Sequence, residues 1–327
     1  MTIVYYVSGH GFGHAVRSVE VIRELAKLGT GLPLIVRTKA PAFLFRDTIC
    51  AVSPDAPYLD AGAVERDIFN IDGAATVDRL VELNANATSI VESESNWLRT
   101  QNPSIVIADI PWLAGDISQE CDAPCVGISN FLWNWIYEPF LHQHEQGETI
   151  TKLITESYNR FDAILRLPLS HEMNLEIPVN DVPFVAARGQ GDNSEIHKRT
   201  GVDPLDSRRR ILVCLRDLSS LNALTDFSER NRNFMFVVIG KTRNESASNV
   251  HYLELDKSLT VADLVAWSDI VLAKPGYGIM STCAVNGSRL LCVPRTGFRE
   301  DEVLIDQGRQ LFPVRVIPFE DFEHGNW

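Results

Sequence analysis

The chain opens on an unbroken apolar run, Ile3-Val4-Tyr5-Tyr6-Val7, which empties directly into Gly9-His10-Gly11-Phe12-Gly13-His14. A strand, a glycine turn and a helix in that order restrict the fold sharply. They place the turn at the carboxyl edge of a parallel sheet, where glycines admit a ligand close to backbone and the helix amino terminus favours negative charge. His10 and His14 sit in the same turn, and imidazole is the side chain whose unperturbed pKa lies nearest neutrality. A turn that served folding alone would have little use for two of them, so this one points to chemistry.

The pattern of strand and helix repeats along the chain. Residues 3–8, 32–36, 105–108 and 125–128 read as strands. The span 14–28 reads as an amphipathic helix with Val16, Val19, Val21, Ile22 and Leu25 apolar, and 75–100 as a long helix ended by Asn102-Pro103. A polar, glycine-rich stretch at 188–194 follows. The series then resumes with strands at 211–215, 234–239, 270–273 and 290–293, and helices at 260–267, 277–286 and 301–310. Apolar strands without alternation are covered on both faces, hence parallel and doubly wound. At 327 residues the chain suits two domains. The expectation is an α/β protein with two Rossmann-like doubly wound domains facing across a cleft: residues 1–187, a linker at 188–196, and 197–327. The abrupt stop at Trp327 suggests that a final helix is missing.

Composition removes several function classes. A net charge of −13 argues against nucleic acid as a partner. Arg208-Arg209-Arg210, the one basic run, reads as a solvated strand edge. No apolar run approaches the roughly 18–20 residues that span a bilayer, and the amino terminus carries no leader, which predicts a cytoplasmic protein. Six cysteines lack a framework spacing and read as reduced thiols. Walker A, GxSxG and Asp-x-Asp patterns are absent, and the first glycine turn lacks the GxGxxG spacing of dinucleotide enzymes.

The candidate residues fall at strand ends. His10 and His14 have three readings: a metal pair, a structural turn, or a general base at the cleft. Gly11 and Gly13 oppose the helix that an i,i+4 metal pair would need, and no third ligand is near in sequence, so no metal site is assigned. Asp109, at the end of another strand, either orients an imidazole or caps a helix over 113–121. Lys274-Pro275-Gly276-Tyr277-Gly278 is a second strand–turn–helix site, suited to a diphosphate. Arg295, Arg299, Glu300 and Asp301 follow the next strand and suit sugar or phosphate, or a solvated loop. The aromatic-dense stretch 129–137 lines a sugar pocket or packs the core.

These residues resemble glycosyltransferases of the GT-B architecture. More closely, the chain looks like the glycosyltransferase-like amino-terminal region of plant L-arabinokinases and its free-standing bacterial relatives. The matching residues are Tyr5 to Arg17, Asp109, Ser129-Asn130-Phe131 with Trp133 and Ile136-Tyr137, Arg166-Leu167-Pro168, and Lys274 to Gly278. The resemblance implies inverting, metal-independent transfer of a sugar from a nucleotide-diphosphate donor, UDP-linked, to a hydroxyl acceptor, with no cofactor beyond that co-substrate. It implies His14 as base, oriented by Asp109, with His10 on substrate or the two roles exchanged. It places the acceptor at Gly11, Phe12, Gly13, Arg17, Asn130 and Trp133, and the donor at Lys274, Pro275, Gly276, Tyr277, Gly278, Ser281, Arg295, Arg299, Glu300 and Asp301. Two departures fall on the donor side. Arg216-Asp217 stands where relatives carry a glycine pair, and Thr282 where a glutamate commonly holds the ribose. They leave open a non-catalytic nucleotide-sugar-binding protein; a UDP-sugar 2-epimerase on the same fold would need further carboxylates.

Overall fold

Apolar runs become strands and amphipathic stretches become helices in near-strict alternation in the computed structural model, which describes residues 1–53, 55–190, 193–215, 221–240, 248–256 and 258–326. In chain order the elements begin with β1 (Thr2–Val7), α1 (Gly13–Lys27), β2 (Leu34–Arg37), β3 (Ala51–Ser53), β4 (Glu65–Asp67), β5 (Asn70–Ile71) and α2 (Gly73–Thr100). There follow β6 (Pro103–Asp109), α3 (Leu113–Glu120), β7 (Cys125–Ser129), α4 (Trp133–Leu141), α5 (Gly147–Tyr158), β8 (Ala163–Arg166) and β9 (Val179–Asp181). The second series runs α6 (Ser194–Thr200), β10 (Arg209–Cys214), α7 (Leu221–Arg230), β11 (Phe234–Ile239), β12 (Val250–Leu253), α8 (Val261–Trp267) and β13 (Ile270–Ala273). It closes with α9 (Tyr277–Asn286), β14 (Arg289–Cys292), α10 (Arg299–Leu311), β15 (Val314–Val316) and α11 (Phe319–Glu323).

The chain divides into two compact units. Unit 1 comprises Met1–Val64 and Asp72–Val185; unit 2 comprises Glu65–Ile71 and the chain from Ala186 onward.

Unit 1 is built on a seven-stranded parallel sheet, in the order β3-β2-β1-β6-β7-β8-β9. All six residues of β1 are buried, as an apolar run without alternation requires. The winding direction reverses between β1 and β6, where Val7 and Asp109 are register partners. A reversal of this kind opens a crevice at the carboxyl ends of the two strands, because their following loops diverge. Helix α1 turns Ala15, Val19 and Ile22 inward and leaves Val16 exposed. Asp72 caps α2 by accepting from Ala75 N at 3.0 Å. Asn102 breaks the chain out of that helix at φ 50°, and Pro103 opens β6. The N-cap of α3 is Trp112, so Asp109 is not its cap.

Unit 2 is built on a six-stranded parallel sheet, in the order β12-β11-β10-β13-β14-β15, with its reversal between β10 and β13. The short antiparallel hairpin β4–β5 belongs to this unit. Its Phe69 is buried against Phe319 and Phe322, at ring separations of 5.1 and 5.7 Å, and its carbonyl accepts from Thr296 N at 2.7 Å. Part of the expected linker is bonded to unit 2. Gly189 N donates to Asn286 Oδ1 at 3.0 Å and Gln190 N to Asp263 Oδ1 at 2.8 Å. Gly191 and Asp192 of that segment, and Arg216 and Asp217 after β10, lie outside the described residues. In the basic run, Arg208 pairs with Asp206 and Arg210 with Asp269. All six cysteines are free. Among the described residues no helix is long and apolar enough to cross a membrane.

Candidate active site

Two strand–turn–helix sites stand at the two sheet reversals. In unit 1, Gly11 has φ +71°, a conformation that glycine adopts without penalty, and the turn delivers the chain into α1 at Gly13. No side chain caps this helix and no acid lies in its first turn. His14 is the second residue of α1, and Asp109 is the last residue of β6.

His14 Nδ1 lies 2.8 Å from Asp109 Oδ1. Arg17, one helical turn on, grips the same carboxylate through Nε, 2.8 Å from Oδ2, and through its NH2 to Oδ1. Ser18 Oγ donates to Oδ2 at 3.1 Å. Asn130, just past β7, accepts from Arg17 NH1 at 2.8 Å and so fixes the guanidinium. Asp109 is fully buried, and burial pushes its carboxyl up; the charge and hydrogen bonds of Arg17, with those of His14, outweigh that and hold it at about 2. An ionised carboxylate only accepts, so His14 Nδ1 carries the proton and donates, which leaves a lone pair on Nε2. Phe131 and Trp133 wall the imidazole at 5.7 and 6.0 Å between ring centres.

His10 has a carboxylate of its own. Its Nε2 lies 2.9 Å from Asp60 Oδ1 and 3.0 Å from the Asp60 carbonyl, and Ser8 Oγ donates to Asp60 Oδ2. Burial works to lower the His10 pKa, but the facing Asp60 raises it above the ordinary value; burial likewise works to raise Asp60, and His10 brings it below. Tyr58 stacks on the His10 ring at 5.1 Å. Sequence reasoning missed Asp60, which lies 50 residues from His10 with no local motif to mark it. Among the expected acceptor residues, Gly11 and Gly13 are exposed and Phe12 is half-buried. Arg17, Asn130 and Trp133 are buried and stand behind the imidazoles.

In unit 2, β13 leads through Lys274-Pro275-Gly276 into α9. This helix also starts without a side-chain cap or an acid in its first turn. A Cβ added at Gly276 or Gly278 would meet nothing within 4 Å, so the surface there is open. Lys274 Nζ lies 2.6 Å from Glu65 Oε1. The Arg295 side chain is 9% exposed. It pairs with Asp301 (Nε to Oδ1 at 3.0 Å), reaches Glu300 at 3.5 Å, and donates to the Pro275 carbonyl at 3.3 Å. Glu300 and Asp301 are buried in the first turn of α10, which Arg299 opens. Tyr277 and Ser281 are also buried. The hydroxyls of Ser281 and Thr282 both donate to the Gly278 carbonyl, at 3.2 and 2.7 Å. Glu65, 209 residues from Lys274, is the second residue that sequence reasoning missed. Among the described residues no group of three or more His, Cys, Asp or Glu side chains converges as a metal site.

Two parallel doubly wound sheets with these reversals define the class: the chain has the GT-B glycosyltransferase fold. It superposes on the glycotransferase of kitacinnamycin with a TM-score of 0.67 at 15% identity, covering 97% of this chain and 86% of that one. It superposes on glycosyltransferase VinC in complex with dTDP with a TM-score of 0.63 at 14% identity, covering 100% and 89%. In sequence it is similar to the L-arabinokinase of Arabidopsis thaliana, 28% identical over 314 residues, which is 93% of this chain and 29% of the plant protein. The chain therefore spans less than a third of that relative's length. No protein-family model matches the chain.

Proposed function

We propose that the chain is an inverting, metal-independent glycosyltransferase that moves a sugar from a nucleotide-diphosphate donor, UDP-linked, to an acceptor hydroxyl. The observation that carries this reading is His14, held through Nδ1 by a buried, ionised Asp109, with Nε2 left to take a proton. In the reaction, Nε2 removes the acceptor proton as that oxygen bonds to the anomeric carbon. The bond from that carbon to the diphosphate breaks, and its electron pair leaves with the phosphate. One displacement from the face opposite the leaving group inverts the centre. Asp109 stabilises the imidazolium that forms, while Arg17 and Asn130 hold the carboxylate in place. Lys274 and the leading N–H groups of α9 meet the charge growing on the diphosphate. In this reading residues 1–187, apart from the hairpin at 65–71 that belongs to unit 2, serve the acceptor and 197–327 the donor, joined through 188–196. The six free thiols suit a cytoplasmic setting.

A non-catalytic nucleotide-sugar-binding protein is the second reading. It is favoured by Thr282, whose hydroxyl bonds to backbone where an acid commonly holds the ribose. A thermal-shift screen with nucleotide sugars identifies the donor, since a ligand of the folded state raises the melting point. With that donor and an acceptor, His14→Ala lowers turnover by about 10²–10⁴-fold while nucleotide binding persists. Unchanged turnover refutes the base assignment. Binding with neither transfer nor hydrolysis supports the second reading, and an epimerised sugar formed without acceptor supports a 2-epimerase.

A further inference from the structure

Glu65 is the carboxylate at the donor turn that is placed to move. Three acids surround Arg295, and their side chains are 2% (Asp301), 10% (Glu300) and 43% (Glu65) exposed. The first two are locked into the start of α10, and Asp301 also accepts from Arg295 N at 2.7 Å. Glu65 instead reaches Lys274 at 2.6 Å and Arg295 at 3.9 Å from the first residue of β4. Its backbone is fixed, because β4 pairs with β5 and the hairpin is pinned by buried Phe69 and the bond from Thr296 N. The post is rigid and the side chain is half in solvent. The open surface at Gly276 and Gly278 adjoins the same lysine in sequence.

We infer that Glu65 is a carboxylate gate, seated on Lys274 in the place a diphosphate would take, and that nucleotide binding swings it off. The inference rests on the reading of Lys274 to Gly278 as a diphosphate site. A partly exposed ion pair of this kind holds its lysine weakly, at a cost to a competing ligand of about fivefold in affinity. A diphosphate carries more charge than one carboxylate, draws on the helix N–H groups as well, and repels the acid it displaces. Exchange is therefore favourable, and its extent depends on salt.

Calorimetric titration of UDP and dTDP into wild type, Glu65→Gln, Lys274→Ala and the double variant tests the gate. The near-isosteric glutamine keeps the hairpin, which thermal melts verify. Glu65→Gln is expected to bind about fivefold more tightly. The gain should vanish in the Lys274→Ala background and shrink as salt rises. If wild type binds, Lys274→Ala weakens binding and Glu65→Gln changes nothing, the gate is refuted while the diphosphate site stands. If neither nucleotide binds any variant, both fall, and the Glu65–Lys274 pair is only structural.

Discussion

The turn after β1 and the turn after β13 are built on one backbone plan and carry opposite electrostatics. Each follows a strand at a sheet reversal, feeds an uncapped helix and has a buried arginine–aspartate pair beside it. In the first, a single carboxylate is shared by Arg17, His14 and Ser18. In the second, a single guanidinium is shared by Asp301, Glu300 and Glu65. Asp109 is accordingly held low, to about 2. Asp301 is pushed above the ordinary carboxylate range by burial, with Glu300 adding to it, and Arg295 does not reverse this. Burial works to raise both acids; around Asp109 the charges and hydrogen bonds of Arg17 and His14 outweigh it, and around Asp301 those of Arg295 do not. The first turn is thus suited to holding an imidazole in one tautomer, and the second to exchanging one anion for another.

The largest expected effect separates the two aspartates. Asp109→Ala leaves Arg17 charged and buried without its carboxylate partner, and is expected to cost about 3–5 kcal/mol in urea denaturation. Asp301→Ala leaves Arg295 with Glu300 and Glu65, and should cost less, about 1–3 kcal/mol. Equal losses would break the contrast. The pH dependence gives the sign of the first term. Because the folded pKa of Asp109 lies below its unfolded value, its contribution is present above the unfolded value near 3.8 and is lost as pH falls towards about 2. The stability difference between wild type and Asp109→Asn should close across that window.

His10 supplies the next test, since it repeats the His14 arrangement with a different acid. The groups facing it are Asp60, Tyr58, Trp133 and the charge of Arg79. Its raised pKa means a contribution to stability that is complete below 6.5 and lost as pH rises through the folded value. In Asp60→Asn the burial and Arg79 remain while the raising charge is gone, so the imidazole should titrate below 6.5 in an NMR titration. A His10 resonance unmoved by Asp60→Asn would show that the second imidazole has no acid of its own.

Much of this was legible in the chain, for reasons that are themselves physical. The strands at 234–239 and 270–273 and the helix at 277–286 fall where apolar runs and flanking glycines place them. Asp109 and His14 were legible as strand-end and turn residues, because a parallel sheet brings the carboxyl ends of neighbouring strands together whatever their separation in sequence. Short elements were not. The edge strands β3 and β9, and β8 beside the latter, have three or four residues each and too little pattern to distinguish them from loop. Helix α4 grows from the aromatic stretch that reads as a pocket wall, with Pro139 inside it. Asp60 and Glu65 were invisible because their partners, 50 and 209 residues away, are chosen by tertiary packing alone.

The smallest expected effects concern glycines, and they sharpen the comparison most. Gly62 has φ +63°, and a Cβ there would overlap the His10 ring. Gly62→Ala should destabilise by about 1–2 kcal/mol from the backbone alone and push His10 off Asp60, so the two effects should appear together in a melt and in the His10 titration. Gly278 differs: it lies inside α9 with open space where a Cβ would go. Gly278→Ala should raise stability by less than the roughly 1 kcal/mol of a helix interior, because alanine suits a helix better than glycine but this residue is the second of α9. If backbone there approaches a diphosphate, the same methyl should weaken UDP binding while the fold gains. An alanine that stabilises α9 and leaves UDP affinity untouched would remove close phosphate approach at Gly278, and the second turn would then bind through Lys274 and the helix terminus without it.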